Sequence, residues 1–323
     1  MDLLDAVWRW FADPMQYDFM RRAVIVSAVI GLVCAVLSCY VTLKGWSLLG
    51  DALSHAVLPG VVVSYVVGIP FVIGAFVASI LSVSAIGFIS GRTRLKSDTV
   101  IGIVFTGFFA LGLILVTKVV STVHFTHILL GSILGITTGN MIQTIAIALV
   151  TLILSVLVFR RDLVLFAFDP MHARSIGINP SFLSALLLTL LALTVVSAFQ
   201  TVGVILVVAM LITPGATAYL LTDRFDRMMV IASVASVLSC VAGTFLSYHL
   251  NISTGGSIVA TLTLVFVVTM VLAPRHGLLA NQRRSRRSLA QLTDETMPDG
   301  TGRVLPRGAA ALTTLLARTA LRR

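Results

Sequence analysis

The chain is a succession of long apolar stretches divided by short polar punctuation. Runs of the length that crosses the hydrocarbon core as a helix, about 20 residues, fall at 23–43, 51–68, 70–90, 99–120, 141–159, 182–199, 201–221, 228–247 and 256–273. Lipid cannot satisfy open sheet edges, so such runs are helices or strands of a closed barrel. Barrel strands alternate apolar and polar positions over about ten residues. These runs are continuous, which predicts an all-α polytopic protein, a bundle of about eight to nine transmembrane helices. Gly68-Ile69-Pro70 ends one run, because proline disfavours helix at the residue before it. Three polar loops part others: Arg92-Thr93-Arg94-Leu95-Lys96, a longer stretch from Arg160-Arg161 to about Pro180, and Asp223-Arg224-Phe225-Asp226-Arg227.

Short basic loops mark the cytoplasmic side of a membrane. With 91–98 inside, successive crossings put 160–181, 223–227 and the C-terminus inside as well. Counting backward puts the N-terminus outside. Arg21-Arg22 before the first run and Lys44 after it give no charge asymmetry to support that side. The segment 121–140 is too rich in glycine and polar residues for a lipid-facing helix and reads as a broken or re-entrant piece packed within protein. The domain reading is an amphipathic lead-in at 1–22, a transmembrane domain at 23–278 with a cytoplasmic loop at about 160–181, and a tail at 279–323. The tail is polar enough to be disordered, with 308–323 able to form an amphipathic helix on the membrane surface. The first twenty residues hold Asp2, Asp5, Asp13 and Asp18, unlike the basic start and apolar core of a cleavable signal.

Composition agrees. The 323 residues are 58% hydrophobic and 11% charged, where a soluble domain carries about a quarter charged residues. The net charge of +10 raises the question of nucleic acid, but its distribution answers it. From Arg275 onward ten arginines face only Asp294, Glu295 and Asp299. A basic tail after a last membrane helix reads as a cytoplasmic anchor beside anionic lipid. Cys34, Cys39 and Cys240 lie in apolar runs without paired spacing and read as small buried hydrophobes.

Against this background one stretch stands apart. Lys44-Gly45-Trp46-Ser47-Leu48-Leu49-Gly50-Asp51-Ala52-Leu53-Ser54-His55-Ala56-Val57-Leu58-Pro59-Gly60 places an acid and an imidazole four residues apart in an apolar run. On a helix Asp51 and His55 share a face, one turn apart. Such groups are costly in lipid unless they pair, meet water or hold an ion. Carboxylate oxygen with imidazole nitrogen suits zinc, manganese or ferrous iron and suits sodium or potassium poorly. One chain supplies two such ligands; two facing copies would supply four, with water for the rest. The plainer alternative is an Asp–His hydrogen bond that tethers the helix. Pro59-Gly60 after the pair allows a bend or close approach of a neighbour. His124 and His127, three apart, read first as interfacial polar residues; His172, His249 and His276 are not read as ligands. Gly102, Gly107, Gly112, Gly203 and Gly215 suggest close helix packing, and Thr213-Pro214-Gly215 a kink.

The stretch Ser47-Leu48-Leu49-Gly50-Asp51-Ala52-Leu53-Ser54-His55-Ala56-Val57-Leu58-Pro59-Gly60 resembles the signature of permease subunits of bacterial ATP-binding-cassette importers for manganese, zinc and iron. Tyr17-Asp18-Phe19-Met20-Arg21-Arg22-Ala23 is similar to that family's start, and Leu129-Leu130-Gly131-Ser132-Ile133-Leu134-Gly135 to its mid-chain glycine motif. The block Val202-Gly203-Val204-Ile205-Leu206-Val207-Val208-Ala209-Met210-Leu211-Ile212-Thr213-Pro214-Gly215-Ala216-Thr217-Ala218 resembles another. The likeness spans about residues 15–278.

The resemblance implies a transport subunit of the bacterial cytoplasmic membrane that moves a divalent metal ion inward as cargo and holds no permanent cofactor. It implies that Asp51 and His55 coordinate the metal as a gate. It implies three partners: a separate ATPase, a metal-carrying solute-binding protein, and a second permease copy or paralogue. Phe166-Ala167-Phe168-Asp169-Pro170-Met171-His172-Ala173-Arg174-Ser175-Ile176-Gly177-Ile178 resembles the family's ATPase-docking segment. Here Asp169 can cap a short helix with Pro170 in its first turn and Gly177 beyond its end, around a central Ala173. No GxxxxGK[ST] phosphate loop occurs, so the chain is not expected to hydrolyse ATP. The alternatives are a secondary metal or proton-coupled carrier working without an ATPase, and a membrane metalloenzyme, which would need further ligands.

Overall fold

The computed structural model describes residues 10, 12–46, 49–118 and 136–273, and every regular element among them is helical. α1 (Asp18–Lys44) leads to two short helices, α2 (Leu49–Ala56) and α3 (Leu58–Val67), then α4 (Phe71–Arg92) and α5 (Ser97–Lys118). α6 (Thr138–Leu152) continues through a π-helical stretch, Ile153–Val158, to α7 (Arg160–Phe168) and α8 (Pro170–Ser175). α9 (Pro180–Val202), α10 (Val204–Leu221), α11 (Phe225–Leu250) and α12 (Thr254–Leu272) follow. Taking α2 with α3, and α6 with its π stretch, eight helices among the described residues are long and apolar enough to cross a membrane, and α10 is a shorter apolar ninth. The chain divides into two compact units, Met1–Val268 and Thr269–Arg323, and the described residues of the second are 269–273. The expected tail structure, most of the 121–140 segment, the 129–135 motif, His124, His127 and His276 lie outside the described residues.

The expected runs are helices with shifted ends. α1 begins at Asp18, earlier than the apolar pattern suggests, because Asp18 pairs with Arg21 in the first turn, where an acid favours the helix dipole. Arg22 is used at the same end, donating to Thr138 Oγ1 at 3.0 Å. The run 51–68 breaks in two at Val57. Pro59 has no N–H to give the His55 carbonyl four residues earlier. α9 and α10 meet at Gly203 alone, whose φ of 87° is a conformation that suits glycine.

α1 is the buried centre of the first unit, with Ala23, Val26, Cys34, Leu37, Cys39 and Tyr40 fully covered. It lies antiparallel to α11. Ser27 Oγ meets Thr244 Oγ1 at 3.4 Å, Ser236 Oγ donates to the Gly31 carbonyl at 2.9 Å, and the Tyr40 and Phe225 rings stand 5.1 Å apart. α10 packs on the same helix. Ser38 Oγ accepts from the Gly215 N–H at 2.9 Å and lies 3.2 Å from the Ile212 carbonyl. It thereby serves main-chain groups around Pro214, which interrupts the α10 ladder.

This packing supplies the sidedness that charge left open. Because α1 and α11 are antiparallel spans, Lys44 shares a side with Arg224 and Arg227. Lys44, Arg92, Arg94, Lys96, Arg160, Arg161, Arg224 and Arg227 then all fall on one side, the cytoplasmic one by the basic-loop rule, and residues 12–17 on the other. Two contacts across that face agree: Arg160 pairs with Asp226, and Lys44 reaches Phe166.

Candidate functional site

α2 is strongly amphipathic, unlike the long spans. Leu49, Gly50, Ala52, Leu53, Ser54 and Ala56 are buried. Asp51 and His55 occupy the remaining face, with 43% and 30% of their side-chain surface open. His55 Nε2 stands 3.4 Å from Asp51 Oδ1, longer than the roughly 2.7–2.9 Å of a tight charge-assisted hydrogen bond. The two groups are neighbours on one face, and both are partly open.

The site sits at mid-depth. Gly50 lies against Leu211, halfway along α10. The His55 ring packs on Phe105 and Phe109 in the middle of α5, at centroid distances of 5.4 and 5.2 Å. These two phenylalanines stack on each other at 6.0 Å and give the imidazole an aromatic wall on one side. Sequence reasoning passed over them: spaced by one turn in an apolar span, they carry no signal until α5 is laid beside α2. Among the described residues no cluster of three or more His, Cys, Asp or Glu side chains forms. One chain therefore presents a dication with an O,N pair, short of the roughly four to six ligands transition metals take. His172 lies on α8 and His249 stacks on Trp10 at the outer end of α11, both away from Asp51.

The second candidate region is the cytoplasmic loop. Asp169 caps α8, accepting the N–H groups of Met171 and His172 at 2.9 and 3.0 Å. The His172 N–H first, then that of Met171, holds the Asp169 carboxyl below its usual range. Pro170 occupies the first turn and Ala173 is fully buried. The Ile178 N–H returns to the Ala173 carbonyl at 3.0 Å across Gly177, whose φ is 86°. These bonds make 169–178 a closed, stiff unit. Met171, exposed at 72%, projects from it, and Phe168 and Ile176 are exposed beside it.

A family model described as "ABC 3 transport family" matches residues 16–273. The chain belongs to that family. It is 57% identical over 279 residues to "Manganese transport system membrane protein MntB" of Synechocystis sp., covering 86% of this chain and 91% of the relative. It is 49% identical to "Chelated iron transport system membrane protein YfeD" of Yersinia pestis, covering 83% and 90%. Among solved structures, a chain of "PsaBC from Streptococcus pneumoniae in complex with Fab" superposes with a TM-score of 0.76 at 38% identity, covering 85% of this chain and 99% of that one. As an ABC 3 member the chain is a multi-pass permease subunit of a bacterial ABC transporter, with ATP hydrolysis in a separate subunit. The carrier working without an ATPase loses its support on that ground.

Proposed function

We propose that this permease carries a divalent transition-metal ion, manganese or ferrous iron before zinc, into the cytoplasm through a gate made by Asp51 and His55. The observation that carries the reading is the O,N pair itself: two ionisable side chains 3.4 Å apart on the open face of an otherwise buried helix at mid-depth. The transport named for the manganese and iron relatives supports the choice of cargo. Two ligands from one chain call for two more from a second permease, identical or paralogous, so the gate lies between copies and water completes the shell. A solute-binding protein delivers the ion to the outer face. A separate ATPase docks on the loop around Asp169, Pro170, Ala173 and Gly177. Its closure on ATP moves that loop, and the spans reorganise to change access to the pair.

The test is uptake of Mn²⁺ into vesicles holding the permease with its ATPase and binding protein. Asp51→Ala and His55→Ala should each abolish uptake while the ATPase still co-purifies with the permease. Uptake at the unsubstituted level in either variant refutes the gate.

A further inference from the structure

Lys44 ends α1 at the cytoplasmic face, half-buried. Its Nζ donates to the carbonyl of Phe166 at 3.2 Å and lies over the ring of the same residue, 4.0 Å from its centre. Phe166 is itself buried. The position of that carbonyl is informative. In a helix it would receive the N–H four residues later, and that residue is Pro170, which has none. The proline that starts α8 thus leaves a buried acceptor at the end of α7, and the ammonium of another helix fills it.

From Lys44 a run of main-chain hydrogen bonds leads to α2. The Gly45 and Trp46 N–H groups return to α1, at the carbonyls of Thr42 and Val41, 3.2 and 3.0 Å away. The Trp46 carbonyl in turn accepts the first N–H of α2, from Leu49, at 3.1 Å. The Trp46 ring packs edge-on against Phe166 at 6.4 Å. At the far end, the Asp169 N–H bonds to the Leu165 carbonyl at 2.8 Å, so the α8 cap is continuous with α7. A route from Asp169 to Asp51 therefore crosses between helices at Phe166, through its contacts with Lys44 and Trp46, and otherwise follows main-chain hydrogen bonds or covalent chain.

We infer that Lys44 is the positioning residue that couples the loop moved by the ATPase to the helix carrying Asp51 and His55. The inference rests on the gate reading for its destination, and the Lys44–Phe166 contact is its own. Lys44→Met keeps the aliphatic stem and removes the donor and the charge. In vesicles holding the whole transporter, ATP hydrolysis and Mn²⁺ uptake are read together. Lys44→Met should leave hydrolysis within about twofold and lower ions moved per ATP by about tenfold, within the usual span of coupling energies. Lys44→Arg, which can still donate to the carbonyl and stack on the ring, should recover at least about half of that ratio. An unchanged ratio overturns the inference, and so does a parallel fall in hydrolysis and uptake, which a merely structural role would give. Should Lys44→Met fail to assemble, Phe166→Leu removes the ring and keeps the carbonyl; it should lower the ratio by about two- to threefold, and no change there is equally fatal. Asp51→Ala run alongside separates the two readings. If it transports normally the gate is wrong, whereas the Lys44 result is a ratio that stands or falls without it.

Discussion

α2 and α3 are halves of one apolar run, yet they are held in opposite ways. α3 is fixed to α4 main chain to main chain: a Cβ placed on Gly60 would stand 2.0 Å from the Gly74 carbonyl oxygen. Beneath it Val57, Val61, Ala75, Val196 and Phe199 form a small apolar core of their own. α2 meets its neighbours through side chains, Leu211 against Gly50 and the two phenylalanines against His55, and leaves Asp51 and His55 partly open. Between them the ladder is cut where Pro59 withholds its N–H. One half is held backbone to backbone and the other through side chains, with its ionisable pair partly open. Leu58, at the junction, packs on Gly112 of α5.

The contrast is open to attack, beginning with the anchor. Gly60→Val would drive a branched side chain into the α4 backbone, which cannot yield as a side-chain tip can. The expected loss is about 3 kcal/mol or more, seen as failure to assemble or a fall in Tm of the purified permease. A Tm within a few degrees of the unsubstituted protein would show that α3 is not anchored there. The break comes next. Pro59→Ala restores a donor for the His55 carbonyl and lets α2 and α3 run as one rod. Stability should shift by less than about 1 kcal/mol, since the restored hydrogen bond and the freed unfolded chain oppose each other. Mn²⁺ uptake should fall several-fold. Uptake unchanged beside a measurably straightened helix would mean the break has no part in transport.

Much of this arrangement is legible in the residues. The apolar runs mark every long helix, and the acid and imidazole spaced one turn apart do fall on one face of α2. Asp169, Pro170 and Gly177 spell out a capped turn because those residue types act on their own backbone. What escapes is what needs two distant segments at once. The glycine stripe of α5 suggested close approach; among the described residues a Cβ at Gly112 would meet Leu58, whereas one at Gly102 or Gly107 would meet nothing within 4 Å. Tyr40 reads as one more apolar residue until its hydroxyl is found donating to the Ser155 carbonyl at 2.8 Å, inside the π stretch. That stretch left no mark in the pattern, because apolar residues fill a π turn as readily as an α turn. Lys44 read as a topology signal alone. Its partner is an acceptor created by a proline more than a hundred positions away, a pairing that local periodicity cannot register.

The smallest effect is the most discriminating. Asp51→Asn and His55→Gln each keep the size and polarity of the side chain and remove its charge or its ring. Both residues stand on the open face of α2, and their 3.4 Å separation is too long for a strong bond to be lost. Exposed pairs of this kind contribute at most about 1 kcal/mol, and His55→Gln also gives up the ring contacts with Phe105 and Phe109, about 0.5–1.5 kcal/mol. Asp51→Asn should therefore melt within a degree or two of the unsubstituted permease and His55→Gln a few degrees below it, while transport is lost in both. If instead Asp51→Asn costs the fold as much as a buried hydrogen-bonded carboxylate would, the pair is a tether. α2 would then be a second anchor, and the contrast with α3 would disappear.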